Sequence, residues 1–526
     1  MITSNARTIR PQRLLREGMI ASAQRHPDKE AVVVEGKAYS YAELLGSSLR
    51  LAAVLKQRGI LQGDRVAIYM NNTWPCVVSI YATLLVGGVF MAINPQTKVE
   101  KLKFMLEDSE AKILITESLL EKYFLPAIQN IEFLKGMIVS GDLDSSSVPE
   151  SIENQDFNHA LQNSRPLQEP VEIIPNDLAA LIYTSGSTGF PKGVMLSHQS
   201  MVFAAWSLIE YQRLSESDRI LLVLPITFDY GLYQLLMAMK LGATLIIERS
   251  FVFPVEIYKR IEEQKVTVFP AVPMIYALMI SSHKKKKLCF PNVTRITNTA
   301  AALSAEYIPY LHEIFPNALI YKMYGLTECK RVSYLEPELI DEKPTSVGRA
   351  IPGTEVFLLS ADGEPVAPGD TGILHVRGPH IMMGYWKNPE KSKEMLRPGK
   401  FPGEKVLCTG DFFRMDVDGL LYFVGRSDDI IKTRGEKVSP VEVENTLVGI
   451  VGIKEAAVIG VNNNIHGQVI KAFVSLDNGV ELNDRKIKKV CSENLENFMV
   501  PSEVIIMKEL PKTDNGKLDK KTLAQV

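Results

Sequence analysis

Short runs of aliphatic and β-branched residues recur along the chain, with helical patterns between them. Val66-Ala67-Ile68-Tyr69, Ile113-Leu114-Ile115-Thr116, Ala180-Leu181-Ile182-Tyr183, Ile220-Leu221-Leu222-Val223, Thr244-Leu245-Ile246-Ile247 and Val266-Thr267-Val268-Phe269 read as strands. Stretches such as 74–86 and 254–264 read as helices. Strands alternating with helices point to an α/β architecture with largely parallel sheets. After about residue 426 the elements become shorter and more charged, with 469–475 and 503–507 as strands among charged helices. The expected division is a large domain over 1–425, made of layered, mainly parallel sheets with flanking helices, and a small mobile α+β domain over 426–526. The polar stretch 141–177, rich in Ser, Asn, Glu and Pro, reads as a surface connection between two subdomains of the first.

Composition narrows the function. The 526 residues carry 59 Lys+Arg against 61 Asp+Glu, a formal charge of −2. That balance argues against a general nucleic-acid binder, which needs a basic excess to meet phosphates. The five cysteines are scattered without C-x-x-C spacing, which suits a reducing, cytoplasmic setting and neither a disulfide frame nor a zinc site. Residues 66–97 contain no charge, long enough to consider a membrane span. Polar residues and Gly87-Gly88 interrupt them, so a buried helix followed by a strand is expected instead. The first sixteen residues lack the apolar core of a secretory signal. The run Lys284–Lys287 reads as a solvated loop.

The strongest local signal is Tyr183-Thr184-Ser185-Gly186-Ser187-Thr188-Gly189-Phe190-Pro191-Lys192-Gly193, directly after an apolar strand. Glycines let successive backbone N–H groups converge on an anion, hydroxyls add donors, and Lys192 adds a charge. No Walker A spacing fits.

This segment resembles the phosphate loop of the AMP-forming adenylating enzymes: acyl- and aryl-CoA synthetases, peptide-synthetase adenylation domains and luciferases. Further motifs of that superfamily follow in order. They are Tyr324-Gly325-Leu326-Thr327-Glu328, Thr409-Gly410-Asp411, Gly425-Arg426-Ser427-Asp428-Asp429-Ile430-Ile431-Lys432, and Pro511-Lys512-Thr513-Asp514-Asn515-Gly516-Lys517. The resemblance implies an enzyme that activates a carboxylic acid with ATP and passes the acyl group to a thiol. By it, residues 184–192 hold the β- and γ-phosphates and Thr327 meets the α-phosphate. Glu328 helps bind Mg²⁺, Tyr324 packs on adenine, Asp411 takes the ribose hydroxyls, and Arg426 contacts ribose or phosphate. Ala300 and Ala301 sit where relatives carry a Gly-rich adenine loop. Lys517 bridges the acid and the α-phosphate. His198 is grouped with these residues, in a structural or pocket-edge role rather than as a base.

Between the two half-reactions the small domain of such enzymes rotates about a hinge, here at Asp428, and Lys432, Gly435 and Lys437 come to line the thiol path. The thiol is expected in trans, as coenzyme A or the phosphopantetheine arm of a separate acyl or peptidyl carrier protein. Phe228, Asp229 and Met323 are candidate acid-pocket residues. Relatives that activate amino acids carry an Asp where Asp229 falls, which tilts the expectation toward an amino acid; a helix-capping Asp is the alternative. Cys329 reads as a small buried hydrophobe rather than a nucleophile. A fatty- or aryl-acid CoA ligase, a luciferase-like oxygenase and a silent nucleotide-binding relative remain as competing readings.

Overall fold

The computed structural model describes residues 12–184, 191–426, 431–433, 436–463, 467–495, 499–513 and 516–526. Four sheets organise them. The first runs, edge to edge, Gly384–Tyr385, Lys192–Ser197, Leu178–Thr184, Val89–Ile93, Arg65–Tyr69, Ile113–Glu117, Gly136–Ser140 and Glu153–Asp156. The second runs Arg349–Ala350, Ser333–Leu335, Leu319–Tyr324, Arg295–Asn298, Val268–Ala271, Arg219–Leu222, Thr244–Ile247, Glu30–Val34 and Lys37–Ser40. Central pairings in both are parallel; antiparallel strands close both ends of the second sheet and the Gly384–Tyr385 end of the first, whose other end, Glu153–Asp156, pairs in parallel.

The uncharged stretch becomes a helix and a strand, as its breaks suggest. Thr73 caps helix Trp74–Leu85 by accepting from the Cys76 amide. Every residue from Cys76 to Leu85 is buried, and strand Val89–Ile93 follows. Helix Asp229–Leu241 is likewise buried from Tyr230 to Met239. A helix that is apolar all round belongs inside a protein. Both helices share one core with residues of the first two sheets, such as Ile68 and Leu221. Among the described residues no helix is long and apolar enough to cross a membrane.

A third sheet joins Glu355–Leu359, Thr371–Arg377, Lys405–Met415, Leu396–Pro398 and Leu421–Arg426. The fourth, from Glu436–Val438, Ile431–Thr433, Gly467–Leu476, Ile453–Asn463 and Glu503–Met507, has its own core of Val443, Val458, Ile470, Val474 and Ile487.

Two expectations need correction. The strand expected at 266–269 forms at Val268–Ala271, because the Val266 amide closes the turn leaving the preceding helix by donating to the Ile261 carbonyl, and Thr267 makes the first bond toward the neighbouring strand, at Arg219. Residues 141–177 are more than a connection: they hold edge strand Glu153–Asp156 and helix Phe157–Gln162. The sequence Glu-Asn-Gln-Asp hides that strand, since neither of its faces is apolar.

Candidate active site

The hairpin of Lys405–Met415 and Leu421–Arg426 sets Asp411 directly opposite Arg426. The Arg426 guanidinium Nε lies 3.4 Å from Asp411 Oδ1. Tyr324, at the end of strand Leu319–Tyr324, donates its hydroxyl to Asp411 Oδ2. Thr409 Oγ1 accepts the Asp411 amide at 3.1 Å and donates to the Leu374 carbonyl. Three motifs that are far apart in sequence therefore meet on one buried carboxylate. Burial, and then the Asp411 charge beside it, push the Tyr324 hydroxyl well above its ordinary pKa, so it stays a donor.

The turn after Tyr324 carries Thr327 and Glu328, both half-buried. Gly325 allows it: a Cβ there would lie 2.4 Å from the Lys330 carbonyl oxygen. Glu328 Oε1 accepts the Tyr385 hydroxyl at 2.6 Å. Tyr385 stands on the edge strand paired with Lys192–Ser197, opposite Val194. Its ring centroid is 6.0 Å from the Lys192 ammonium. Thr184 and Lys192 face each other across their hairpin. Tyr385 thus ties that hairpin to Glu328, a role the sequence reading missed. Its only signal is the Gly-Tyr-Trp run at 384–386. Ser185, Gly186, Ser187, Thr188, Gly189, Asp428 and Gly435 lie outside the described residues, as do the side chains of Lys432 and Lys437.

Ala300 adopts φ +74°, a left-handed conformation that glycine takes most readily. Phe228, rather than Asp229, occupies the N-cap of helix Asp229–Leu241, so Asp229 does not cap it. Instead the buried Lys330 ammonium lies 3.6 Å from Asp229 Oδ2 and donates to the Asp229 carbonyl at 2.8 Å. Met323 is buried, and its sulfur accepts the Tyr211 hydroxyl. Burial pushes the Cys329 thiol well above its usual pKa, which keeps it protonated and unsuited to nucleophilic attack.

His198 does not join the cluster. It starts helix His198–Tyr211, and its Nδ1 accepts the Leu15 amide at 3.3 Å. Its role is to pin the N-terminal helix. Burial, reinforced by Arg16, pushes its pKa down to about 4. The unfolded chain protonates this ring near its ordinary pKa of ~6.5, so stability is lost as pH falls from there toward the folded value. Urea unfolding of His198→Gln should show an acid-induced loss smaller than wild type by about 2 kcal/mol between pH 7 and pH 4. Identical pH profiles would contradict this role.

Lys517 lies in the closing loop. The Thr513 amide donates to the Lys517 carbonyl at 2.7 Å, and the Gly516 amide to the Thr513 carbonyl at 2.8 Å. Gly516 has φ +74°, and a Cβ there would come 3.6 Å from Met274 Cε, just past the end of strand Val268–Ala271. Lys517 itself is exposed. Among the described residues no group of three or more His, Cys, Asp or Glu gathers to hold a metal. The donor set here is one carboxylate, Glu328. That fits Mg²⁺, which keeps waters and phosphate oxygens and needs only one or two protein carboxylates.

The sequence model described as AMP-binding enzyme matches residues 20–386, and that described as AMP-binding enzyme C-terminal domain matches 442–517. A long-chain-fatty-acid–CoA ligase of Bacillus subtilis is 31% identical, over 98% of this chain and 95% of the ligase. Gramicidin S synthase 2 of Aneurinibacillus migulanus is 29% identical over 95% of this chain, which spans only 11% of that protein. The crystal structure of the anthranilate CoA ligase AuaEII in complex with anthranoyl-AMP superimposes with a TM-score of 0.88 at 25% identity, covering 97% of this chain and 96% of that one.

Proposed function

The chain belongs to the AMP-binding enzyme family, as an AMP-forming acid–thiol ligase, and we propose that it joins a small carboxylic acid to coenzyme A. The observation that carries the site assignment is the convergence of the Tyr324 hydroxyl and Arg426 on the buried Asp411 carboxylate. A fixed carboxylate with two oxygens suits a ribose diol, and the Tyr324 ring beside it suits adenine.

In the first half-reaction an acid oxygen attacks the α-phosphorus of ATP, and the bond to pyrophosphate breaks. Both partners are anionic, so the chain must supply donors and positive charge. Thr184, Lys192 and the loop between them hold the β- and γ-phosphates, Thr327 meets the α-phosphate, and Lys517 bridges it to the acid. Glu328, oriented by the Tyr385 hydroxyl, would hold Mg²⁺, which when bound neutralises phosphate charge. In the second half-reaction a thiol attacks the acyl carbon, the thioester forms, and AMP leaves with the electron pair. Residues 426–526 act as the lid that turns about Asp428 between the two steps, bringing Lys432, Gly435 and Lys437 to the thiol.

The similarity to a CoA ligase over nearly its whole length supports coenzyme A as the acceptor. The phosphopantetheine arm of a carrier protein is the second reading, favoured by the similarity to Gramicidin S synthase 2. Asp229 first suggested an amino acid. Its pairing with Lys330 gives the carboxylate a cation from the chain itself, which supports an acid without an ammonium group. The amino-acid reading requires the substrate to displace Lys330.

The test offers coenzyme A and a loaded carrier protein separately, with ATP and a panel of acids. Acyl-CoA with AMP and pyrophosphate is expected. Thioester on the carrier alone would replace the coenzyme A reading, and acid-independent ATP cleavage to ADP would overturn both.

A further inference from the structure

We infer that the acid activated at this site carries a second carboxylate, received by Arg331; the inference rests on the ligase reading above. Arg331 is 1% exposed and is among the largest side chains wholly enclosed in the protein. Its Nη1 donates to Thr299 Oγ1. Its Nε and Nη2 are buried and make no hydrogen bond of good geometry, the Tyr211 hydroxyl beside the guanidinium donating to the Met323 sulfur. Those two nitrogens share one edge of the guanidinium, and their parallel N–H bonds match the two oxygens of a carboxylate. A guanidinium cannot shed its proton, so burying it without an anion is costly.

Asp229 is paired with Lys330, and Arg331 makes no ion pair among the described residues. The Tyr230 ring centroid lies 5.6 Å from the Arg331 guanidinium, a contact that helps hold the cation but supplies no acceptor for its edge. Asn298, one residue before Thr299, likewise buries an unpartnered Nδ2 donor. Two sets of donors without acceptors therefore lie in one region. That region is also where the acid is expected, because Tyr230 directly follows Phe228-Asp229 and Arg331 directly follows Lys330. A second carboxylate on the substrate satisfies the Arg331 edge and offers an acceptor to Asn298. A plain fatty or aryl chain leaves both unmet.

The test compares acids matched in size: butanoate with succinate, hexanoate with adipate, 4-methylbenzoate with terephthalate. Acyl-AMP formation is read by hydroxylamine trapping on the full chain. A diacid is expected to exceed its matched monoacid by about 100-fold or more in kcat/KM, because a site built for a polar group rejects analogues lacking it. Arg331→Met should remove most of that preference through the diacid KM, and Arg331→Lys should restore part of it. If Arg331→Met does not fold, the wild-type preference and Arg331→Lys decide. Monoacids preferred by wild type, or a loss in Arg331→Lys that falls equally on every acid or on the KM for ATP alone, would overturn the assignment. Failure of every acid, single or double, would instead overturn the ligase reading on which it rests.

Discussion

Replacing Lys517 by alanine is expected to lower acyl-AMP formation by ~10²–10³-fold, the cost of losing one charge aimed at a transition state. Thioester formation from preformed acyl-AMP should change far less. The asymmetry follows from the loop. Its turn is held by backbone hydrogen bonds between Thr513, Gly516 and Lys517, so shortening an exposed side chain leaves it intact. The loop reaches the first domain beside Met274, past the end of a central strand. In parallel α/β sheets that end is where ligands collect. On the proposed reading of residues 426–526 as a lid with its own core, a lysine delivered there serves only the step for which the lid is in that position. Equal losses in both half-reactions would refute the role.

The second large effect concerns the Asp229–Lys330 pair. Lys330→Met should cost about 2–4 kcal/mol of stability at pH 6, somewhat below the usual range for a broken buried pair because Asp229 is partly exposed. Adding Asp229→Asn should recover most of that loss, since no uncompensated charge then remains. Burial pulls the Lys330 pKa down to about 7, with the Asp229 charge opposing that fall. The unfolded chain keeps this proton until ~10.4. It therefore binds more protons than the fold between those values, and this group makes stability rise with pH across that window. The variant should lack that rise in chemical unfolding followed from pH 7 to pH 10; an unchanged slope would contradict the burial argument.

Most of the architecture was legible because central strands of parallel sheets are short apolar runs, while most of the helices between them carry polar residues on one face; Trp74–Leu85 and Asp229–Leu241 are the buried exceptions. Helix Trp74–Leu85 was recognisable from the polar residues and glycines that break its run. Strand Glu153–Asp156 was not, because an edge strand needs no apolar face. In the site, the motif residues Tyr324, Asp411 and Arg426 could be read one by one, but the bond between Tyr324 and Asp411 depends on strand order. Tyr385 escaped because its tie to Glu328 spans 57 positions through an unremarked edge strand. Lys330 was visible beside its motif, yet its partner lies 101 positions away. Asp229 therefore looked like a pocket anion awaiting an ammonium when the chain already supplied the cation. His198 followed the phosphate-loop hairpin closely in sequence, but the helix it begins turns the ring toward Leu15.

The most direct test of the account is acid-dependent exchange of labelled pyrophosphate into ATP with no thiol present. Adenylation is reversible before the thiol arrives, so exchange is predicted with at least one acid, to fall by ~10²–10³-fold in Lys517→Ala and to be greatly reduced in Asp411→Ala. Exchange that needs a thiol, or acid-dependent release of ADP and phosphate in its place, would contradict the account.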